Sequence, residues 1–135
     1  MRLSSKVAVI TGGGSGIGKA TALKFAREGA RIVVFELNEE HGRLVVDEII
    51  SQGQEAMFIR TDVSVFEDVQ AAVTLAAETY GRLDIMFNNA GIGINKPLLD
   101  HEPADFDRVV KVNQYGVFYG ILAAGRKLNL RPERF

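Results

Sequence analysis

Val7-Ala8-Val9-Ile10-Thr11-Gly12-Gly13-Gly14-Ser15-Gly16-Ile17-Gly18 is the stretch whose reading decides how this chain folds. Its first four residues are apolar and mostly β-branched, the signature of a short buried strand. A glycine-rich turn follows at once, and Lys19-Ala20-Thr21-Ala22 then opens a helical pattern. Glycine lets a backbone turn tightly and approach a ligand closely. A helix that starts there offers free N–H groups and the positive end of its dipole to an anion such as a pyrophosphate. The strand before the loop and the helix after it are the context that gives such a glycine loop meaning.

Working outward, strand-like runs recur at Ile32 (IVVF), Ala56 (AMFI) and Leu83 (LDIMF), about 25 residues apart. Between them lie helical faces. Gly18, Ala22, Phe25, Ala26 and Gly29 form one, Gly42, Val45, Val46, Ile49 and Ile50 a second, and Val65, Val69, Ala72, Val73 and Ala76 a third. Asn38 is expected to cap the second helix, and Ser64 with Glu67 to form a capping box on the third. Gly29, Gly53 and Gly81 are expected to end the three helices. Strands that are apolar throughout need cover on both faces, so the sheet should be parallel with helices on each side. Pro103 suits the first turn of a short helix. A longer helix is expected from about Val109 to Lys127, apolar through Val117, Phe118, Ile121 and Leu122, and Arg126 to Phe135 reads as an irregular tail. Leu128 to Leu130 is the one place where a strand remnant fits. The whole chain, residues 1–135, reads as a single domain.

Composition narrows the function classes. The chain has 135 residues, 47% hydrophobic and 24% charged, with a net charge of −1. A scaffold for nucleic acid would carry a basic excess, so that class is excluded. No Cys occurs, which removes disulfides, thiolate metal sites and cysteine nucleophiles and suits a cytoplasmic protein. No metal site is expected. The apolar run Val7–Ile10 is too short for a signal segment or a membrane span.

The glycine spacing is Gly12-x-x-x-Gly16-x-Gly18, not the strict G-x-G-x-x-G. A P-loop is nearly matched by Gly13 to Lys19, but Ala20 stands where the magnesium-binding hydroxyl belongs. A tight turn without a ligand is the plain alternative. Glu36 tips the balance. It ends the second strand 18 residues after Gly18 and can accept both ribose hydroxyls of an adenosine. It would also repel a 2′-phosphate, and no Arg or Lys lies in Gly13 to Gly16 or directly follows it. The reading is therefore a dinucleotide cofactor, NAD rather than NADP. A solvated acid at a strand end is the alternative for Glu36.

Together these residues resemble the short-chain dehydrogenase/reductase family, nearly to Lys127. Thr11 to Gly18 matches its T-G-x-x-x-G-x-G loop. Asp62-Val63 matches the pair after the third strand, Asn88-Asn89-Ala90-Gly91 the N-N-A-G signature, and Asn113 after Val112 the asparagine of the catalytic tetrad. The resemblance implies an α/β Rossmann-type doubly wound sheet in the order 3-2-1-4, ending before a fifth strand. It implies a cofactor site of Thr11, Gly12, Gly14, Ser15, Gly16, Ile17 and Gly18 around the pyrophosphate and Glu36 with Leu37 at the ribose. Asp62 and Val63 would hold the adenine, Asn89, Ala90 and Gly91 would line the passage beside the ribose, and Val112 would sit near the nicotinamide. Asn88 would serve the sheet. Asn113 would break the long helix and hold a water near the catalytic lysine.

The resemblance also implies hydride transfer between a nicotinamide and an alcohol or carbonyl, with a Ser and a Tyr-x-x-x-Lys pair. Tyr80, Tyr115 and Tyr119 have no Lys four places later. Lys111 precedes Tyr115 by four, a reversed pair expected on a helix surface. His101 is expected to be a loop residue. By itself the chain is thus expected to be inactive or nearly so. It is either a truncated or frameshifted dehydrogenase or a dinucleotide-binding module acting as a regulatory or interaction partner. The substrate is unreadable. An apolar long helix and an open strand edge lead to the expectation of a homo-oligomer.

Overall fold

The structure is a computed structural model and describes residues 1–128. Four strands, β1 (Val7–Thr11), β2 (Arg31–Glu36), β3 (Ala56–Arg60) and β4 (Ile85–Phe87), form one sheet in the order β3-β2-β1-β4. All three pairings are parallel, with Val9 beside Val33 and Met86, and Val33 beside Met57. The helices α1 (Gly16–Arg27), α2 (Glu39–Ser51) and α3 (Phe66–Tyr80) are the crossovers.

Each strand is apolar throughout because each face is covered by different helices. Alternate side chains of β1 and β2, Ala8, Ile10, Ile32 and Val34, meet Ala22 and Ala26 of α1 and Val45 and Ile49 of α2. The other set, Val7, Val9, Val33 and Phe35, meets Val69, Val73 and Ala76 of α3 and Ala123 and Ala124 near the chain's end. This is the doubly wound arrangement, and it puts every helix start beyond the carboxyl ends of the strands.

The helix punctuation holds in part. Asn38 Oδ1 accepts from the His41 N–H at 3.0 Å and caps α2. Gly29, Gly53 and Gly81 all take positive φ where the helices stop. The expected capping box on α3 does not form. Val65 occupies the cap position, and the Ser64 hydroxyl donates to Asp62 Oδ1 at 2.6 Å. The hydroxyl is turned to the Asp62 carboxylate, and α3 carries no side-chain cap bond. Ile50, counted on the buried face of α2, is 53% exposed.

The last helix also departs from expectation. It begins at Pro103 and runs unbroken to Gly125, as α4 (Pro103–Val110), a π-helical turn (Lys111–Tyr115) and α5 (Gly116–Gly125). Pro103 therefore opens the long helix and not a separate short one. Its sheet-facing side is small, with Gly116, Gly120, Ala123 and Ala124 buried, while Phe118 and Ile121 are more than half exposed. The reason is close approach: a Cβ on Gly120 would collide with the Asn88 side-chain oxygen. Asn88 thus serves the packing of β4 against α5. Of the segment read as an irregular tail, Arg126 to Leu128 form a turn after α5, and the remainder lies outside the described residues, as does most of the suggested strand remnant.

Candidate functional site

At the carboxyl end of the sheet lies a cavity of about 400 Å³. Its walls come from five segments: the glycine loop, the end of β2, the segment after β3, the segment after β4, and one face of α4 with the π turn.

Thr11 organises the first wall. Its hydroxyl accepts from the Asn89 and Ala90 N–H groups, both at 2.9 Å, and donates to the Phe87 carbonyl at 3.4 Å. The Asn89 side chain donates back to the Thr11 carbonyl at 3.2 Å. The glycine loop and the segment after β4 are thereby laced together. Gly12 takes φ of 63°, a conformation that favours glycine, and its carbonyl lies where a Cβ on Gly18 would have to be.

The start of α1 is chemically open. Ser15 occupies its cap position without a side-chain cap bond, and no acid lies in the first turn. The N–H groups of Gly16, Ile17 and Gly18 therefore point outward as unpaired first-turn donors. By contrast α2 carries its Asn38 cap with Glu39 and Glu40. The start of α4 is closed by Asp105, which accepts from the Glu102 N–H at 2.8 Å. Only α1 among these three leaves its positive end free for an anion.

Glu36 faces that open end from β2. One carboxylate oxygen accepts from the Gly14 N–H at 3.1 Å and the other from the Asn38 N–H at 3.0 Å. The side chain lies so close to Gly14 that a Cβ there would stand 2.7 Å from it. Each oxygen keeps acceptor capacity for a hydroxyl. After β3, Asp62 Oδ1 is engaged by Ser64, and the Val63 N–H donates to nothing among the described residues. An acceptor carboxylate next to a free N–H donor is complementary to the edge of a base that offers an amino group beside a ring nitrogen.

Asn113 sits in the π turn. Its amide clasps Ile92 on both sides, accepting from the Ile92 N–H at 2.8 Å and donating to its carbonyl at 2.9 Å. The helix widens here and does not break, because the turn remains helical on both sides.

A family model for short chain dehydrogenases matches residues 6–133. The chain belongs to the short chain dehydrogenase family. Secoisolariciresinol dehydrogenase of Forsythia intermedia is 45% identical over 127 residues, covering 93% of this chain and 45% of that protein. Cyclohexanol dehydrogenase of an Acinetobacter species is 42% identical, covering 92% of this chain and 53% of that protein. A short chain dehydrogenase/reductase from Burkholderia phymatum, solved in complex with NAD, superposes with a TM-score of 0.90 at 37% identity, covering 95% of this chain and 46% of that one. The chain spans about half the length of the curated relatives it matches.

Within this short chain dehydrogenase fold, Gly12, Ser15, Glu36 and Leu37 line the cavity. Asp62, Val63, Asn89, Ala90, Gly91 and Val112 line it too. Thr11, Gly14, Gly16, Ile17, Gly18 and Asn113 are not among the lining residues. Thr11 and Asn113 act behind the wall, through the hydrogen bonds above. Val112 lines the same cavity as Asp62 and Val63 and packs against the core cluster that includes Val63. Asp62 and Val63 are the residues assigned to adenine on sequence grounds, and Val112, expected near the nicotinamide, lines the same cavity as they do. The long helix reaches the cavity beside the segment after β3.

Sequence reasoning missed Asp107, Arg108 and Lys111, all of which line the cavity. Lys111, expected only on a helix surface, is paired with Asp107 at 2.8 Å, and that carboxylate raises its pKa above the ordinary lysine value. Its spacing to Val112 was the available signal: residues 107, 108, 111 and 112 share one helical face. His101 is a loop residue as expected, its Nε2 3.0 Å from the Lys96 carbonyl.

Proposed function

We propose that this chain is the dinucleotide-binding part of an NAD-dependent short chain oxidoreductase acting on an alcohol or carbonyl substrate. The observation that carries the reading is Glu36 opposite the open start of α1. An anion receptor and a diol acceptor stand on the two sides of one loop, bridged by the Gly14–Glu36 hydrogen bond. The Burkholderia relative, solved with NAD, supports the cofactor class.

In this reading the N–H groups of Ser15 to Gly18 hold the pyrophosphate. Glu36 accepts from the adenosine ribose hydroxyls, Leu37 flanks that ribose, and Asp62 with the Val63 N–H engages the adenine edge. Asn89 to Gly91 let the cofactor pass close to the backbone. Gly12 and Gly14 shape the loop, and Thr11 and Asn113 hold its neighbours in place. The nicotinamide, when bound, supplies or takes the hydride. NADP is disfavoured because a 2′-phosphate would meet the Glu36 carboxylate. Val112 lines the same cavity, and the protein is proposed to be cytoplasmic.

Calorimetry with both cofactors tests this. Charge-assisted bonds to Glu36 are each worth about 1.5–3 kcal/mol, so NAD should bind roughly ten- to a hundredfold more tightly than NADP. E36A should narrow the gap. Equal affinities would remove Glu36 from its role.

A second reading is a binding or regulatory module without catalysis. Absorbance at 340 nm with a panel of alcohols and ketones separates the two. NAD binding without turnover supports the module.

A further inference from the structure

The helical wall of the cavity differs in charge from the rest of it. Asp107, Arg108 and Lys111 bring three charged side chains to a cavity otherwise lined mainly by small, polar and apolar groups. Two of the three neutralise each other, since Lys111 Nζ lies 2.8 Å from Asp107. Arg108 forms no ion pair among the described residues. It is exposed, so its guanidinium is not committed to the fold. One helical turn away Val112 packs against the core cluster that contains Val63, and both valines line the cavity and give it an apolar patch. Beside that patch stand the Asp62 carboxylate and the unpaired Val63 N–H.

A planar, weakly hydrated cation at the rim of an apolar slot is well suited to covering the face of an aromatic ring. We infer that Arg108 is a base-binding residue that closes over the purine of the cofactor, stacking its guanidinium on the ring held against Val63 and Val112. The inference rests on the dinucleotide reading above and assigns to α4 a part in choosing the base. The Asp107 carboxylate next to it in the chain is occupied by Lys111, so Arg108 remains available for the ring.

The test is calorimetric titration of the 135-residue chain with NAD and with ADP-ribose, in wild type, R108A, R108K and R27A. Arg27 lies in the last turn of α1, near the opposite end of the strands, and controls for the loss of one positive charge. R108A should weaken ADP-ribose and NAD about three- to thirtyfold, the range of a stacked cation at a partly exposed site. R108K should recover only part of this, because an ammonium has no plane to stack, and R27A should match wild type. Circular dichroism confirms that each variant is folded. R108A within twofold of wild type overturns the inference, as does full recovery in R108K, which would mean that charge alone attracts the ligand. Wild type binding neither NAD nor ADP-ribose would instead overturn the dinucleotide reading itself.

Discussion

Asp84 joins the starts of β4 and β1. Its Oδ2 accepts from the Val7 N–H at 2.9 Å, and Arg82 donates to both of its oxygens, at 2.7 and 2.8 Å. The Arg82 guanidinium holds the Asp84 carboxyl below its ordinary value of 3.8, and the Val7 N–H adds to this. Because the folded value is the lower one, this carboxylate stabilises the fold above pH 3.8, and the contribution disappears as pH falls through the depressed value. Glu28 behaves alike. The Arg2 N–H and the Lys24 ammonium bring its pKa down to about 2. D84N should therefore lower stability at neutral pH and flatten the decline of the urea midpoint as pH falls below 3.8. A decline as steep as in wild type would mean that other groups set the acid limit. None of this was legible in the sequence, where Asp84 is one acid in a strand-like run. Glu36 was legible because its place is defined by distance along the chain from the glycine loop.

At the scale of elements, the π turn is the unusual feature. Asn113 closes two hydrogen bonds with Ile92, joining the long helix to the segment after β4 that lines the cavity. The asparagine is exposed, so its removal opens no core. N113A should leave helix content unchanged and speed amide exchange at Ile92 by about five- to thirtyfold, since the lost bond is worth roughly 1–2 kcal/mol. Unchanged exchange at Ile92 would show that the segment is held by other contacts. The helix faces of α1, α2 and α3 were readable because apolar spacing is a local property. The face of α5 was not. Its apolar side chains surround the helix, and the side that meets the sheet is chosen by steric fit of Gly120 against Asn88. The α3 cap misled because the Ser64 hydroxyl donates to the Asp62 carboxylate across the preceding turn, a local bond that competes with capping.

For the whole molecule, two surfaces stand open. Among the described residues β4 pairs only with β1, so its outer edge presents free backbone groups. The long helix exposes Phe106 at 75%, Phe118 at 59% and Ile121 at 54%. Both features favour association by strand pairing or apolar contact. Light scattering after size exclusion is expected to find dimers or larger species at micromolar concentration. A monodisperse monomer with a cooperative melt would show that both surfaces are covered within the chain. The parallel sheet covered on both faces and the glycine loop were determined by the sequence alone, because each is written in spacings of a few residues or in a period that repeats along the chain, whereas the strand order came from the family resemblance and not from any spacing. Tertiary structure alone decided which residues of the last helix reach the cavity. Asp107, Arg108 and Lys111 come to the cavity through the packing of the long helix on β4 and α3 and through the π turn that sets its face, and no local pattern encodes that crossing.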